Sequence, residues 1–333
     1  MIWRAIADTG FAESASVQDS RHIRTLVAAL PRRLKPRAKS LLVTVWGDAV
    51  APHGAGVWLG SVIRLVAPLG MNERLVRTSV LRLTREGWFT VARVGRKSYY
   101  GLTDFGHRAL VSEPPRRIYA AAPTPWDGEW HLVLTGLANG GRRIDRETRL
   151  SLKRELGWLG FATIAPGVFA HPNPDRAGVE RVLGKLGIQD RVEVMTAVPD
   201  RARDLLQTCW DLDALAAAYR RFIERFRPIW QAIEKAEAPD PETCFALRVL
   251  LIHEYRRIIL RDPELPAELL SLDWAGASAR TLCRNLYRRV APAAERHAQS
   301  VLETADGPLP EPRPYYFQRF GGLREADAEA LAR

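Results

Sequence analysis

Between residues 73 and 86, Arg74, Arg77, Thr78, Arg82 and Arg85 recur at intervals that place them along one side of a helix, with Arg82 on its flank. A guanidinium presents its N–H donors in a fixed fork that fits the edge of guanine or the oxygens of a phosphate. The opposite side holds Leu75, Val76, Ser79, Val80 and Leu83, with Leu81 an apolar residue left near the middle of the basic face. Such a helix has one face to bury and one to present. Three more cations, Arg93, Arg96 and Lys97, follow around a glycine. Residues 21–119 hold 18 Lys and Arg against 5 Asp and Glu, which accounts for the whole surplus of the chain's net charge of +11. A polyanion rewards this asymmetry, because each phosphate neutralised by Lys or Arg releases condensed counterions.

Other constellations do less. His253-Glu254 opens a zinc-protease pattern, but the position four residues on is Arg257 rather than a second histidine. The three cysteines, Cys209, Cys244 and Cys283, form no C-x-x-C pair and suit buried thiols. No cofactor or metal site is therefore expected.

The elements that position the arginines read as a winged helix-turn-helix. A helix begins after Pro36 and carries Ala38 to Trp46, the loop Ala51 to Gly56 ends it, and a second helix from Trp58 stops at Pro68-Leu69-Gly70. Asn72 caps the third helix and Gly87 terminates it. The β-prone runs Trp88 to Val94 and Ser98 to Leu102, joined by Gly95-Arg96-Lys97, predict a hairpin with cations at its tip. Thr103-Asp104 caps a short helix from Phe105 to Leu110, and Pro114-Pro115 closes the segment.

The pattern then changes. After the Ala/Pro linker Ala120 to Pro125 come an apolar strand, His131 to Leu137, and a polar loop at Asn139-Gly140-Gly141. A helix from about Arg143 to Leu156, a strand from Gly160 to Ala170, a helix from Arg176 to Leu186 and a strand from Arg191 to Val198 follow. That succession predicts a ferredoxin-like α+β unit. From Leu205 onward the chain reads as helix, with breaks at Pro239, Pro263 to Pro266 and Gly276. The predicted fold class is thus α+β multidomain: a ragged N-terminus (1–21), a winged helix (22–119), a ferredoxin-like domain (125–200) and an all-helical C-terminal domain (205–333). The longest uncharged run, Ala49 to Ile63, is too short for a membrane span. Charges scattered through Met1 to Ser20 leave no signal-peptide core, so a cytoplasmic protein is expected.

Nearly the whole chain from about residue 22 resembles the PaaX-type repressors of phenylacetate degradation. The matching stretches are Arg37 to Leu110, Arg117-Ile118-Tyr119 with Trp126-Asp127-Gly128-Glu129-Trp130, Trp210-Asp211-Leu212-Asp213-Ala214-Leu215 with Tyr219, Leu251 to Arg257, Arg261-Asp262-Pro263 and Asp273-Trp274. The resemblance implies a Cas2-like central domain. It further implies a homodimer that binds double-stranded operator DNA until an aryl-CoA thioester such as phenylacetyl-CoA releases it.

Two matters stay open in the sequence. A Cas2-like fold raises metal-dependent nuclease activity as an alternative, although the strand Val133 to Asn139 ends without the expected aspartate, and no carboxylate follows until Asp145. Arg256, Arg257, Arg284 and Arg288, with Tyr255 and Tyr287 nearby, serve either salt bridges and helix packing or the phosphates and adenine of the thioester.

Overall fold

A computed structural model of the chain describes residues 19–120, 125–136, 144–236 and 239–323. Outside the described residues lie the loop at Asn139-Gly140-Gly141, most of the Ala/Pro linker and 1–18 of the stretch expected to be ragged. By contact the chain divides into two compact units, one of Met1–Ala121 with Arg221–Arg257 and Ser278–Arg333, the other of Ala122–Arg220 with Ile258–Ala277.

The first unit opens with a helix not anticipated above, α1 over residues 19–34. It buries Ile23, Val27, Leu30 and Leu34, an i, i+4, i+7, i+11 stripe. After α2 (Ala38–Val45) the chain tightens through Trp46–Val50 and Ala51–His53, then forms β1 (Val57–Trp58) and α3 (Leu59–Val66). Trp58 therefore precedes the second helix rather than starting it: it is extended, and Val57 and Trp58 pair with Tyr100 and Tyr99. Gly56 permits this approach, since a Cβ there would stand 2.6 Å from the Tyr99 ring. Next come α4 (Glu73–Arg85), β2 (Phe89–Val94) and β3 (Lys97–Leu102), in a sheet of order β1-β3-β2.

The hairpin connection is shorter than expected. Val94 pairs with Lys97, so the loop is Gly95-Arg96 and Lys97 belongs to the strand. Gly95 at φ 58° supplies the left-handed first position that a two-residue hairpin favours. Downstream, α5 (Asp104–His107) is capped by Thr103, and α6 (Glu113–Ile118) continues across Pro114-Pro115 instead of stopping there. The two helices are joined without a break by the π-turn Arg108–Ser112, and the prolines follow that widened turn, where the regular i→i−4 ladder is already interrupted.

In the second unit the order is β4 (Trp130–Thr135), α7 (Arg146–Trp158), β5 (Ala162–Ala165), β6 (Val168–His171), α8 (Arg176–Leu186) and β7 (Val192–Ala197). The expected single strand from Gly160 to Ala170 is in fact the hairpin β5-β6. Pro166-Gly167 explains it: Gly167 turns at φ 80° while its carbonyl accepts a 2.8 Å hydrogen bond from the Thr135 backbone N–H. The sheet order β5-β6-β4-β7, all antiparallel, is that of a ferredoxin-like βαββαβ unit. Val133, Leu152, Leu156, Phe169, Val179 and Leu183 form its core.

The helices that follow are α9 (Ala202–Cys209), α10 (Leu212–Ile233), α11 (Pro241–Ile259) and α12 (Ala275–Val301), then the small hairpin β8 (Glu303–Thr304) and β9 (Gly307–Pro308), and α13 (Pro314–Phe317). Gly276 does not break a helix; it lies in the first turn of α12, where Trp274 and Tyr219 pack so closely that a side chain would collide with them. Within α11 every residue from Thr243 to Tyr255 is buried, Arg248, His253 and Glu254 among them, so this helix is covered around its circumference inside the first unit. No helix of the described residues is long and apolar enough to cross a membrane.

Candidate nucleic-acid interface

The turn Ala67–Leu69 ends at Gly70, left-handed at φ 77°, and Asn72 then caps α4 by accepting a 2.9 Å hydrogen bond from the Leu75 backbone N–H. Val76, Ser79, Val80 and Leu83 anchor the helix in the core, where Trp46 and Phe89 stack at 4.4 Å. Arg74, Arg77, Thr78, Arg82 and Arg85 are all exposed, as the sequence pattern required. Leu75, expected on the inner side, is 41% exposed, and Leu81 is 48% exposed. The buried stripe is narrower than the apolar one because a 13-residue helix here buries four side chains and shows the rest to solvent.

Electrostatically the arginines are not equivalent. Arg77 is paired with Glu73 one turn earlier at 2.7 Å, whereas Arg74, Arg82 and Arg85 make no ion pair with a described residue. Thr78 donates its hydroxyl proton to the Arg74 carbonyl at 2.8 Å. On the hairpin Arg93, Arg96 and Lys97 are exposed, and the Lys97 ammonium lies 5.7 Å from the Trp58 ring centroid. Ten exposed residues on a capped helix and the hairpin after it thus offer seven cations, a hydroxyl and two apolar tips, Leu81 and Val94.

A buried charge cluster that sequence reasoning missed holds this segment in place. Asp48 receives the Tyr119 hydroxyl at 2.7 Å, the Tyr287 hydroxyl at 2.9 Å and Arg319 at 3.1 Å, and pairs with Arg248 at 2.9 Å. Arg248 also reaches Glu295 at 3.0 Å and the Tyr316 hydroxyl at 3.1 Å. Burial opposes the charges of Arg248 and Arg319, but the phenols and Asp48 around them overcome it and hold both pKa values above the usual range. Burial likewise opposes the charge of Glu295, yet its hydrogen bond with His53 and the Arg248 charge bring it down to about 2. The signal was present: Asp48 is the only Asp, Glu, Lys or Arg between Ser40 and Ile63.

The six residues considered for a thioester are not gathered into an open site. Tyr255 and Tyr287 are buried, Tyr287 within the Asp48 cluster. Arg256 donates to Thr44 Oγ1 at 2.9 Å, Arg257 pairs with Glu254 at 2.9 Å, Arg284 is half-buried and Arg288 is exposed. A cleft of about 740 Å³ lies elsewhere, in the second unit, lined by apolar residues that include Leu206, Trp210, Leu269 and Trp274, by Arg203 and Arg220, and by Asp211, Asp213 and Asp273. Cys244 and Cys283 are buried, which pushes their thiols up in pKa, and Cys209 is half-buried. Among the described residues no three His, Cys, Asp or Glu side chains group to hold a metal ion.

Comparison with known proteins matches three family models along the chain: PaaX-like protein over residues 37–106, PaaX protein central Cas2-like domain over 123–207, and PaaX-like protein C-terminal domain over 210–300. Transcriptional repressor PaaX of Escherichia coli K12 is 42% identical over 299 residues, covering 88% of this chain and 92% of that protein. A solved structure of an uncharacterized Mycobacterium tuberculosis protein aligns with a TM-score of 0.50 and 25% identity, over 77% of this chain and 97% of the other. These matches define a transcriptional repressor, a regulator rather than an enzyme, and leave the nuclease alternative without support. The chain belongs to the PaaX family.

Proposed function

We propose that this chain represses a phenylacetate-type catabolic operon in the cytoplasm by reading operator DNA as a homodimer, through a winged helix-turn-helix within residues 22–119. The observation that carries the reading is the exposed face of α4, where Arg74, Arg82 and Arg85 stand without acidic partners among the described residues, beside the cationic hairpin. In this reading α4 enters the major groove and Arg96 and Lys97 touch backbone or minor groove. Residues 125–200 and 205–333 form the ferredoxin-like and helical effector parts. Two recognition helices related by a two-fold axis call for half-sites about one helical turn, or a multiple, apart. Footprinting on the promoter of a phenylacetate operon should therefore protect two half-sites, and saturation of only one would overturn the dimer.

An aryl-CoA thioester is the proposed releasing ligand. The cleft of about 740 Å³ supports it better than Tyr255, Arg256, Arg257, Arg284, Tyr287 and Arg288 do, because it is open and sets leucines and two tryptophans for an aryl group beside the exposed Arg203 and Arg220 for phosphate, with Asp211, Asp213 and Asp273 also in its lining. DNA and ligand must then oppose each other by one coupling free energy, typically about 1 to 3 kcal/mol, so each weakens the other's binding by the same factor. Phenylacetyl-CoA should release the operator complex, and CoA or phenylacetate alone should do little. Release by neither this thioester nor related aryl-CoA esters would end the ligand proposal and leave the repressor reading intact.

A further inference from the structure

The basic surface extends beyond the helix and hairpin. Residues 20–47 contain seven cations, Arg21, Arg24, Arg32, Arg33, Lys35, Arg37 and Lys39, and no Asp or Glu. Helix α1 turns its apolar stripe inward and leaves Arg32 and Arg33 exposed in its last turn. Lys35 then adopts φ 46° while its N–H bonds the Pro31 carbonyl at 3.0 Å, which ends the helix and sends Pro36 and Arg37 toward α2.

Two contacts fix this stretch beside α4. Pro31 lies against Gly70 in the turn before α4, so that a Cβ on Gly70 would stand 3.9 Å from the Pro31 Cβ. At the far end the Lys39 ammonium donates to both carboxylate oxygens of Glu86, the C-terminal cap of α4, at 2.7 and 2.6 Å. Residues 31–39 are therefore fastened near both ends of a helix about 20 Å long. Between the fastenings Arg32, Arg33, Lys35 and Arg37 are exposed, and none forms an ion pair with a described residue. A surface serving solubility alone intersperses both signs. Four like charges within six residues repel one another, and a second polyanion strand relieves that repulsion.

From this geometry we infer that Arg32, Arg33, Lys35 and Arg37 form a second rank of contacts to the sugar-phosphate backbone flanking the groove that α4 enters. The inference rests on the DNA-reading function proposed above and adds to it a sequence-independent clamp. Charge complementarity selects the occupant: a row of uncompensated cations held alongside the reading helix meets the regularly spaced phosphates of the same duplex. These residues fix register and affinity, while base preference stays with α4.

The test measures affinity of the full chain for operator and for random duplex over a salt series, comparing the unaltered protein with Arg32→Gln/Arg33→Gln. Each phosphate contact removed lowers the magnitude of the log–log salt slope by about 0.9, so the pair should lower it by about 2 on both duplexes and leave the operator-to-random ratio unchanged. Thermal unfolding of both proteins should coincide, since both side chains are exposed; Arg37→Gln, on the next element, provides a second reading with a drop of about 1. An unchanged slope in both variants overturns the clamp, as does loss of the operator-to-random ratio. Binding to phosphatidylserine vesicles that both variants abolish, with the DNA slope intact, overturns it in favour of a membrane surface. If the unaltered protein shows no operator preference, it is the proposed function that fails.

Discussion

At the scale of single residues the Asp48 cluster confines three charges, because Asp48, Arg248 and Arg319 are all buried and each depends on the others for its charge balance. Breaking a buried pair leaves an uncompensated charge, so Asp48→Asn should cost about 3–5 kcal/mol in denaturant unfolding. The double variant Asp48→Asn/Arg319→Met should cost clearly less than the sum of the two single changes; additivity would show that the contact carries no coupling. His253 gives the second residue-scale prediction. Burial, together with Arg256 and Arg257, lowers its pKa to about 4, with Thr44 Oγ1 3.1 Å from its Nδ1. Between about pH 4 and its ordinary value of 6.5 the unfolded chain then binds more protons than the folded one, so stability falls on acidification, at up to about 1.4 kcal/mol per pH unit from this group. His131 and His297 are lowered in the same direction and add to the fall. Urea unfolding of His253→Gln between pH 6.5 and 4.5 should show a shallower dependence than the unaltered chain, and identical slopes would remove His253 from the account. None of this was legible in the sequence beyond the isolation of Asp48, because its partners lie 71 to 271 residues away and no periodicity links them.

At the scale of elements, the proposed function divides the work between α4 for specificity and the hairpin for affinity. Arg74→Ala, which removes an exposed arginine with no acidic partner among the described residues, should cost about 1 to 3 kcal/mol on operator DNA and relax preference at particular base pairs, while Lys97→Ala weakens operator and random duplex alike. Glu73 sharpens the contrast. It holds Arg77 at 2.7 Å and adds a negative charge to the reading face, so Glu73→Gln should raise affinity for both duplexes; a loss would mean that Glu73 aims Arg77 at its target. Competitive gel shifts on the two duplexes read all three substitutions. Helix α4 was legible to within a residue because a cap, a stripe of apolar residues and a terminating glycine coincide there. The β5-β6 hairpin was not, since Pro166-Gly167 interrupts a run whose apolar content is otherwise continuous. Continuation of α6 through Pro114-Pro115 was missed for another reason, that a π-turn at Arg108–Ser112 interrupts the regular ladder just before the prolines, and no local pattern announces it.

For the first unit as a whole, the segment that carries α4 and the hairpin and the C-terminal residues are one compact body, although some two hundred residues separate them in the chain. The Arg313 N–H bonds the Pro52 carbonyl at 2.8 Å, the Phe320 N–H bonds the Tyr119 carbonyl at 2.8 Å, and the Arg319 guanidinium lies 4.0 Å from the Tyr119 ring centroid while donating to the Gly47 carbonyl. The same residues that end α2 and precede α3 are thus completed by a strap of chain from Arg313 to Phe320. A three-part reading by sequence separates this strap from the reading head, because local pattern shows where a helix starts and not which distant chain covers it. Truncation after Pro310 should accordingly lower the melting temperature of the first unit, on the order of 10 °C if it forfeits the Arg319 contacts alone. It should weaken operator binding even though it leaves α4 and the hairpin in the chain, because Asp48 then sits buried beside Arg248 with fewer hydrogen bonds to hold Trp46 to Val50 in place. For the same reason a fragment of residues 19–120 should lack a cooperative unfolding transition. Differential scanning calorimetry with operator titration distinguishes the outcomes: a truncated chain that melts and binds as the full chain does would show that the reading head stands by itself and that the strap only rests on it.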